Sequence, residues 1–99
     1  MAEKEITLSV NGTSIETDTF VRGFIDHTVS GIIAALKGAG EIKTLDISLE
    51  GEMTTINLNH APISINPFVG KIVKNTIFGM VSTLKEVGEI KKVKINIRK

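Results

Sequence analysis

The sequence has no cysteine, tryptophan or tyrosine, and its 99 residues include only two prolines and four phenylalanines. The absence of cysteine excludes disulfides, thiol nucleophiles and cysteine-ligated zinc sites. The absence of tryptophan and tyrosine removes side chains on which nucleic-acid bases commonly stack. Long apolar runs are also missing, because the most apolar window, 20–40, contains Arg22, Asp26, His27 and Lys37. A transmembrane helix is therefore not expected.

The overall composition is typical of a small globular domain. Hydrophobic residues make up 41% of the chain and charged residues 23%, both near the average for globular domains. A chain of 99 residues can bury one modest core, so we expect a single domain over residues 1–99. The segment 1–6 is charged and lacks the apolar stretch of a signal peptide, which predicts a cytoplasmic location.

The chain consists of two ungapped copies of one unit, spanning about residues 5–50 and 53–98. Residues 6–50 align with residues 54–98 at a constant offset of 48, and 14 of the 45 aligned pairs are identical. The identical pairs include Asn11/Asn59, Phe20/Phe68, Gly31/Gly79 and Ile47/Ile95. A repeat of this period is usually a supersecondary unit that cannot bury its apolar face alone. We therefore expect the two copies to share one core.

Each copy shows the pattern strand, strand, helix, strand. Apolar and polar residues alternate over 6–10 and 54–58, and again over 45–49 and 93–97, which predicts strands with one buried face. The fold predicted from this pattern is α+β, with tandem ββαβ units. About six strands form a mainly antiparallel sheet, and both helices cover one face. The alternation leaves open the strand order and whether strands are exchanged between chains.

Turns and helix ends are indicated by short polar motifs. Asn11 and Gly12 predict a type I′ hairpin turn, whereas Pro62 predicts a different turn in the second copy because it fixes φ and lacks an N–H donor. Asp18 and Asn66 are the predicted N-caps of the two helices. The helices are placed at about 19–38 and 67–86, and Gly40 and Gly88 are predicted to close them.

The apolar side of each predicted helix is unusually wide. Residues placed at steps of about 100° give an apolar arc of roughly 220°, which in the first helix includes Phe20, Phe24 and Thr28. A helix that covers a sheet needs an arc of little over ~100°. Each helix is therefore expected to contact a second object as well, either the other helix or another subunit.

Phe78 is predicted to lie outside this arc, on the strip that faces water, where its repeat equivalent is Ser30. An aromatic side chain in that position is either an isolated exposed apolar residue, which is common, or the anchor of an interface between two copies of the chain. The predicted interface consists of Phe78, Lys71, Lys74, Ser82, Ser30 and Ala34.

The two copies differ in the sign of their charge. Up to Glu50 the chain has four basic and eight acidic residues, a net charge of −4, and the remainder has eight and three, a net charge of +5. On the polar face of the sheet Asp46 aligns with Lys94, and Glu50 with Arg98. Either this face is a solvated surface of mixed charge, or the acidic half of one molecule attracts the basic half of another.

Two features predict alternative functions. Lys92, Lys94 and Arg98 of the last strand could contact the phosphates of a nucleic acid, although no phenylalanine lies on the same face, so such binding would be weak and salt-dependent. Gly31 and Gly79 cost each helix about 1 kcal/mol relative to alanine. They predict either close approach of the helix to the sheet or to the other helix, or a small-ligand carrier with a pocket between helices and sheet.

Motifs for catalysis or cofactor binding do not occur in the sequence. There is no P-loop, dinucleotide-binding motif, serine elbow or metal-ligand spacing. The two histidines, His27 and His60, align with Asn75 and Gly12, so neither is shared by the copies. We expect no catalytic residue, no metal and no cofactor. The function predicted first is a non-enzymatic protein–protein interaction or assembly module that forms a homodimer, with a different protein partner also possible.

Overall fold

The computed structural model describes residues 5–37, 42–84 and 89–98. In chain order its elements are β1 (Glu5–Val10), β2 (Thr13–Ile15), α1 (Thr19–Lys37), β3 (Thr44–Glu50), β4 (Met53–Leu58), β5 (Ala61–Pro62), α2 (Pro67–Leu84) and β6 (Lys92–Arg98). This order confirms the predicted strand–strand–helix–strand unit in both copies. The predicted helix-closing positions, Gly40 and Gly88, lie outside the described residues.

The six strands form one sheet in the order β2-β1-β6-β3-β4-β5, and every neighbouring pair is antiparallel. β6 lies between β1 and β3, and β3 lies between β6 and β4. The last strand of each copy is therefore inserted into the other copy. α1 joins β2 to β3, and these two strands run in opposite directions without being neighbours, so the connection through α1 needs no parallel partner. The predicted α+β fold is confirmed.

The register of the central strands defines an internal two-fold axis. Ile47 of β3 pairs with Ile95 of β6, which is its own repeat equivalent. On the two sides of this pair, Leu8 of β1 pairs with Ile95, and the equivalent Ile56 of β4 pairs with Ile47. These four side chains form one row across the sheet and are at most 1% exposed. The middle of the core therefore lies on the axis that relates the copies.

Both helices cover the face of the sheet that carries this row. The helix residues buried in the core occupy equivalent positions in the two copies, and they are Ile25, Val29 and Ile33 in α1 and Val73, Ile77 and Val81 in α2. The molecule is a slab of 36 × 35 × 18 Å, with a sheet layer and a helix layer. Each helix is thus buried on the side that faces the sheet.

The predicted N-caps of both helices are confirmed. The Asp18 carboxylate accepts a hydrogen bond from the backbone N–H of Val21 (2.8 Å). The Asn66 side-chain oxygen accepts one from the backbone N–H of Val69 (2.8 Å). These bonds satisfy amides that have no partner within the helix. Pro67, at the first helical position, lacks an amide hydrogen that would need a partner.

The two hairpin turns share one geometry, so the prediction that Pro62 alters the second turn is wrong. Asn11 and Gly12 have φ of 51° and 82°, and the equivalent Asn59 and His60 have φ of 51° and 69°. Both loops thus place two residues in the left-handed region, as a type I′ turn requires. Pro62 lies beyond the turn in the edge strand β5, where a missing N–H is tolerated.

The turn asparagines connect the two copies. The side-chain oxygen of Asn11 accepts hydrogen bonds from the backbone N–H groups of Lys91 and Lys92, at 2.8 and 3.0 Å. Asn59 accepts the two equivalent bonds at the start of β3, also at 2.8 and 3.0 Å. Each copy therefore holds the first residues of the strand that the other copy inserts beside it.

Candidate functional site: the outer surface of the helix layer

Each helix is rotated about its own axis by about 70° relative to the orientation expected if the centre of its apolar arc faced the sheet. Their buried stripes are centred on Val29 and Ile77, which are both 0% exposed. The opposite side of each helix carries Phe20 or Phe68. Phe20 and Phe24 belong to the predicted apolar arc but lie outside the part of it that contacts the sheet, because a sheet covers only one side of a helix. The second contact that the width of the arc predicts for each helix stays a prediction.

Four large apolar side chains face outwards at two pairs of equivalent positions. Phe20 and Phe68 are 75% and 69% exposed, and Phe24 and Ile72 are 50% and 49% exposed. A spacing of four residues places both members of each helix on one side of it. We term Phe20, Phe24, Phe68 and Ile72 the outer helix surface. The copies thus repeat an uncovered apolar surface as well as a core.

An apolar groove of about 200 Å³ runs beside this surface between the two helices. Its lining residues are Phe20, Val21, Phe24, Met80 and Thr83. The first three lie near the start of α1 and the last two near the end of α2, so the helices are antiparallel. The Phe20 and Phe24 rings are 6.1 Å apart and inclined by 57°. The Thr83 hydroxyl donates to the Gly79 carbonyl at 3.1 Å, which leaves mainly carbon facing the groove.

Phe78 lies at the edge of the core, so the prediction that it faces water is wrong. Its side chain is half-buried and packs against the core residues. The Lys74 ammonium lies 5.5 Å from the centre of its ring and 3.7 Å from the Glu52 carboxylate. The rotation of α2 by about 70° about its own axis moves Phe78 from the predicted solvent-facing strip to the edge of the core. Of the other residues predicted for the interface, those exposed are Lys71, Ser82 and Ala34, and those half-buried are Lys74 and Ser30.

The helix glycines lie on the outside of the helix layer. Gly31 and Gly79 are exposed, and a Cβ added to either would meet no atom within 4 Å. The prediction that they allow close approach of a helix to the sheet or to the other helix is therefore wrong. The predicted ligand pocket between helices and sheet also loses its lining, because neither glycine faces the sheet.

The basic residues of the last strand have acidic neighbours within the molecule. An Arg98 guanidinium nitrogen lies 2.8 Å from an Asp46 carboxylate oxygen, and Lys92 pairs in register with Glu50. Lys94 is exposed. Insertion of β6 beside β3 places the basic half of the sequence next to the acidic half, so these opposite charges meet within one chain.

The histidines do not form part of a cluster of metal ligands. His27 is exposed on α1, and His60 is exposed in the second hairpin turn. Among residues 5–37, 42–84 and 89–98, no three histidine, cysteine, aspartate or glutamate side chains are grouped so that they could hold a metal ion. Neither helix, over the part that the structure describes, has the length and apolar character that a bilayer span needs.

The sequence predicted a second contact for the wide apolar arc that contains Phe20 and Phe24, but it placed the interface around Phe78 instead. Phe20 and Phe68 are identical in the two copies and, together with Phe24 and Ile72 four residues later, are apolar in both. The buried stripe lies on other positions, centred on Val29 and Ile77. A residue kept in both copies but outside that stripe is a candidate for a shared surface.

Comparisons of this chain with models of protein families, with curated proteins and with solved structures found no significant match. The function is therefore inferred from the residues and geometry of the outer helix surface.

Proposed function

We propose that the protein is a non-enzymatic assembly module that forms a homo-oligomer through its outer helix surface. The observation that carries this proposal is the repetition of exposed large apolar side chains, with Phe20 matched by Phe68 and Phe24 by Ile72. An isolated exposed apolar residue is common on protein surfaces. Four of them at symmetric positions on one layer indicate a surface that is covered in the working protein.

The size of the surface supports association. If a fully exposed large side chain presents about 200 Å², the four residues together expose roughly 450–500 Å². That value lies in the range of about 300–600 Å² for the largest apolar patch on a monomer, which is often functional. Gly31 and Gly79 lie on the same layer and are also exposed, so a second layer of helices could approach closely.

The sheet offers weaker routes to association. Its two edge strands are short, since β2 has three residues and β5 has two, and β5 contains Pro62. Short edges and proline are features that disfavour pairing with a further strand. The polar face of the sheet carries opposite charges that already adjoin each other, such as Asp46 and Arg98. The helix layer is therefore the preferred interface.

Sedimentation velocity over a range of concentrations tests the proposal. Wild type is expected to dimerise, whereas a double variant with Phe20→Glu and Phe68→Glu is expected to stay monomeric, because burying the new charges is costly. The matched control carries Thr7→Glu and Thr55→Glu, which are repeat-equivalent, exposed positions on the sheet, and should dimerise. Circular dichroism checks that all three remain folded. Monomeric wild type at every concentration would overturn the proposal.

A further inference from the structure

We infer that the occupant of the groove is Phe68 of a second copy of this chain, so that two molecules stack helix layer on helix layer and exchange Phe68 reciprocally. This inference rests on the proposed function and specifies its geometry. Phe68 is 69% exposed near the start of α2, and the groove lies at the opposite end of the same helix, beside Met80 and Thr83. A molecule thus presents a projecting ring at one end and a groove at the other.

The groove matches a phenyl ring in size and chemistry. Its volume is about 200 Å³, and an apolar protein cavity of ~150 Å³ is known to accept benzene. The rings of Phe20 and Phe24 offer edges and faces to an incoming ring at the angles that aromatic pairs prefer. Met80, whose side chain is unbranched and flexible, can adjust to the ring that enters.

Two-fold symmetry makes this contact reciprocal. An axis that lies in the interface and runs across the helices brings the groove end of one molecule over the Phe68 end of the other. In such an isologous interface, if Phe68 contacts the partner's groove, the partner's Phe68 contacts the first groove. An axis parallel to the helices would instead bring the two grooves together. The two arrangements therefore differ in which residue lies opposite Thr83.

The buried area is adequate for a stable dimer. The four residues of the outer helix surface contribute roughly 450–500 Å² from each molecule, taking about 200 Å² for a fully exposed large side chain. Both molecules together approach the ~1,000 Å² that a specific interface should bury. Exposed small residues between the aromatic ends of the helices, including Gly31, Ala35 and Gly79, add to this area and let the two layers approach closely.

Charge complementation between variants tests the inference. Phe68→Glu alone and Thr83→Lys alone are each expected to weaken dimerisation by about tenfold or more, which corresponds to ~1.4 kcal/mol. An equimolar mixture of the two is expected to recover association, because glutamate at 68 in one molecule meets lysine at 83 in the other. Sedimentation velocity of each protein and of the mixture provides the readout. A mixture of F68E with T83E, which places two glutamates opposite each other at the same contact, is the control and should not recover.

The outcomes separate this inference from the proposed function. If wild type is monomeric at all concentrations, the proposed function fails. If wild type dimerises but association is recovered by mixing T83K with T83E, the grooves face each other and the inference is overturned while the proposed function stands. A wild-type dimer that F68E leaves intact overturns the inference in the same way. Both variants alter exposed positions, and circular dichroism verifies that they are folded.

Discussion

Asn11 and Asn59 show how a single residue contributes to joining the copies. Both have φ of 51°, a left-handed conformation that asparagine adopts more readily than most residues. The sequence around Asn11 predicts the turn, because turn propensity is local. It does not predict the hydrogen bonds to the start of β6, since Asn11 and Lys92 are 81 residues apart and meet only in the observed strand order.

Asn11→Gly is predicted to lower the free energy of unfolding by about 0.5–1.5 kcal/mol, the usual net contribution of exposed hydrogen bonds. Glycine keeps the left-handed backbone accessible but leaves two backbone N–H groups without their acceptor. Urea denaturation measures the loss, and Asn59→Gly should behave alike because it removes the equivalent bonds. The control is Asn75→Ala, at an exposed helix position, which is expected to change stability by less than about 0.5 kcal/mol. An Asn11→Gly protein as stable as wild type would show that these bonds contribute nothing.

The starts of the helices were predictable from the sequence, but the orientation of the helices was not. The starts at Thr19 and Pro67 follow from Asp18 and Asn66, whose capping chemistry is local. Which part of a wide apolar arc faces the sheet depends on a contact with distant strands. Phe78 illustrates the limit: a rotation of about 70° is enough to move a side chain from the solvent strip to the edge of the core.

Gly79→Ala is predicted to raise the free energy of unfolding by roughly 0.5–1 kcal/mol, because alanine is the better helix former and the added methyl meets no atom within 4 Å. Thermal unfolding should be measured in the F20E/F68E background, so that association does not contribute. Gly12→Ala is the contrasting variant, since Gly12 has φ of 82°, and it should destabilise. A lower melting temperature for Gly79→Ala would mean that the helix backbone at this position is in contact with another element.

Strand faces were also predictable, whereas strand order was not. Alternation over 45–49 and 93–97 identified the residues that face the core, because a period of two fixes the face of each side chain. β3 and β6 share nearly the same alternation, however, and either could pair with several neighbours. The order is determined by tertiary packing, which sets Ile47 against Ile95 at the centre of the sheet.

At the scale of the whole molecule, neither copy can form its sheet alone. β1 and β3 belong to the first copy but are separated by β6, so a single copy would lack a strand between them. The insertion of β6 next to β3 also explains why the first copy is acidic and the second copy is basic. Glu50 faces Lys92 across the two central strands, where two charges of the same sign would repel each other. The hypothesis that these charges attract a neighbouring molecule is therefore not needed to explain them.

The same slab shape determines how a dimer would look. A single molecule measures 36 × 35 × 18 Å. Stacking two helix layers doubles only the short dimension, to about 36 Å, and gives a nearly isometric particle. Pairing through strand edges would instead produce a flat particle about 70 Å long. The outer helix surface as the interface therefore predicts a distinctive shape.

Small-angle X-ray scattering of wild type, at a concentration where sedimentation shows association, tests this most directly. The expected result is a distance distribution with a single symmetric peak and no extension to about 70 Å. A flat, elongated particle of that length would contradict assembly through the helix layer.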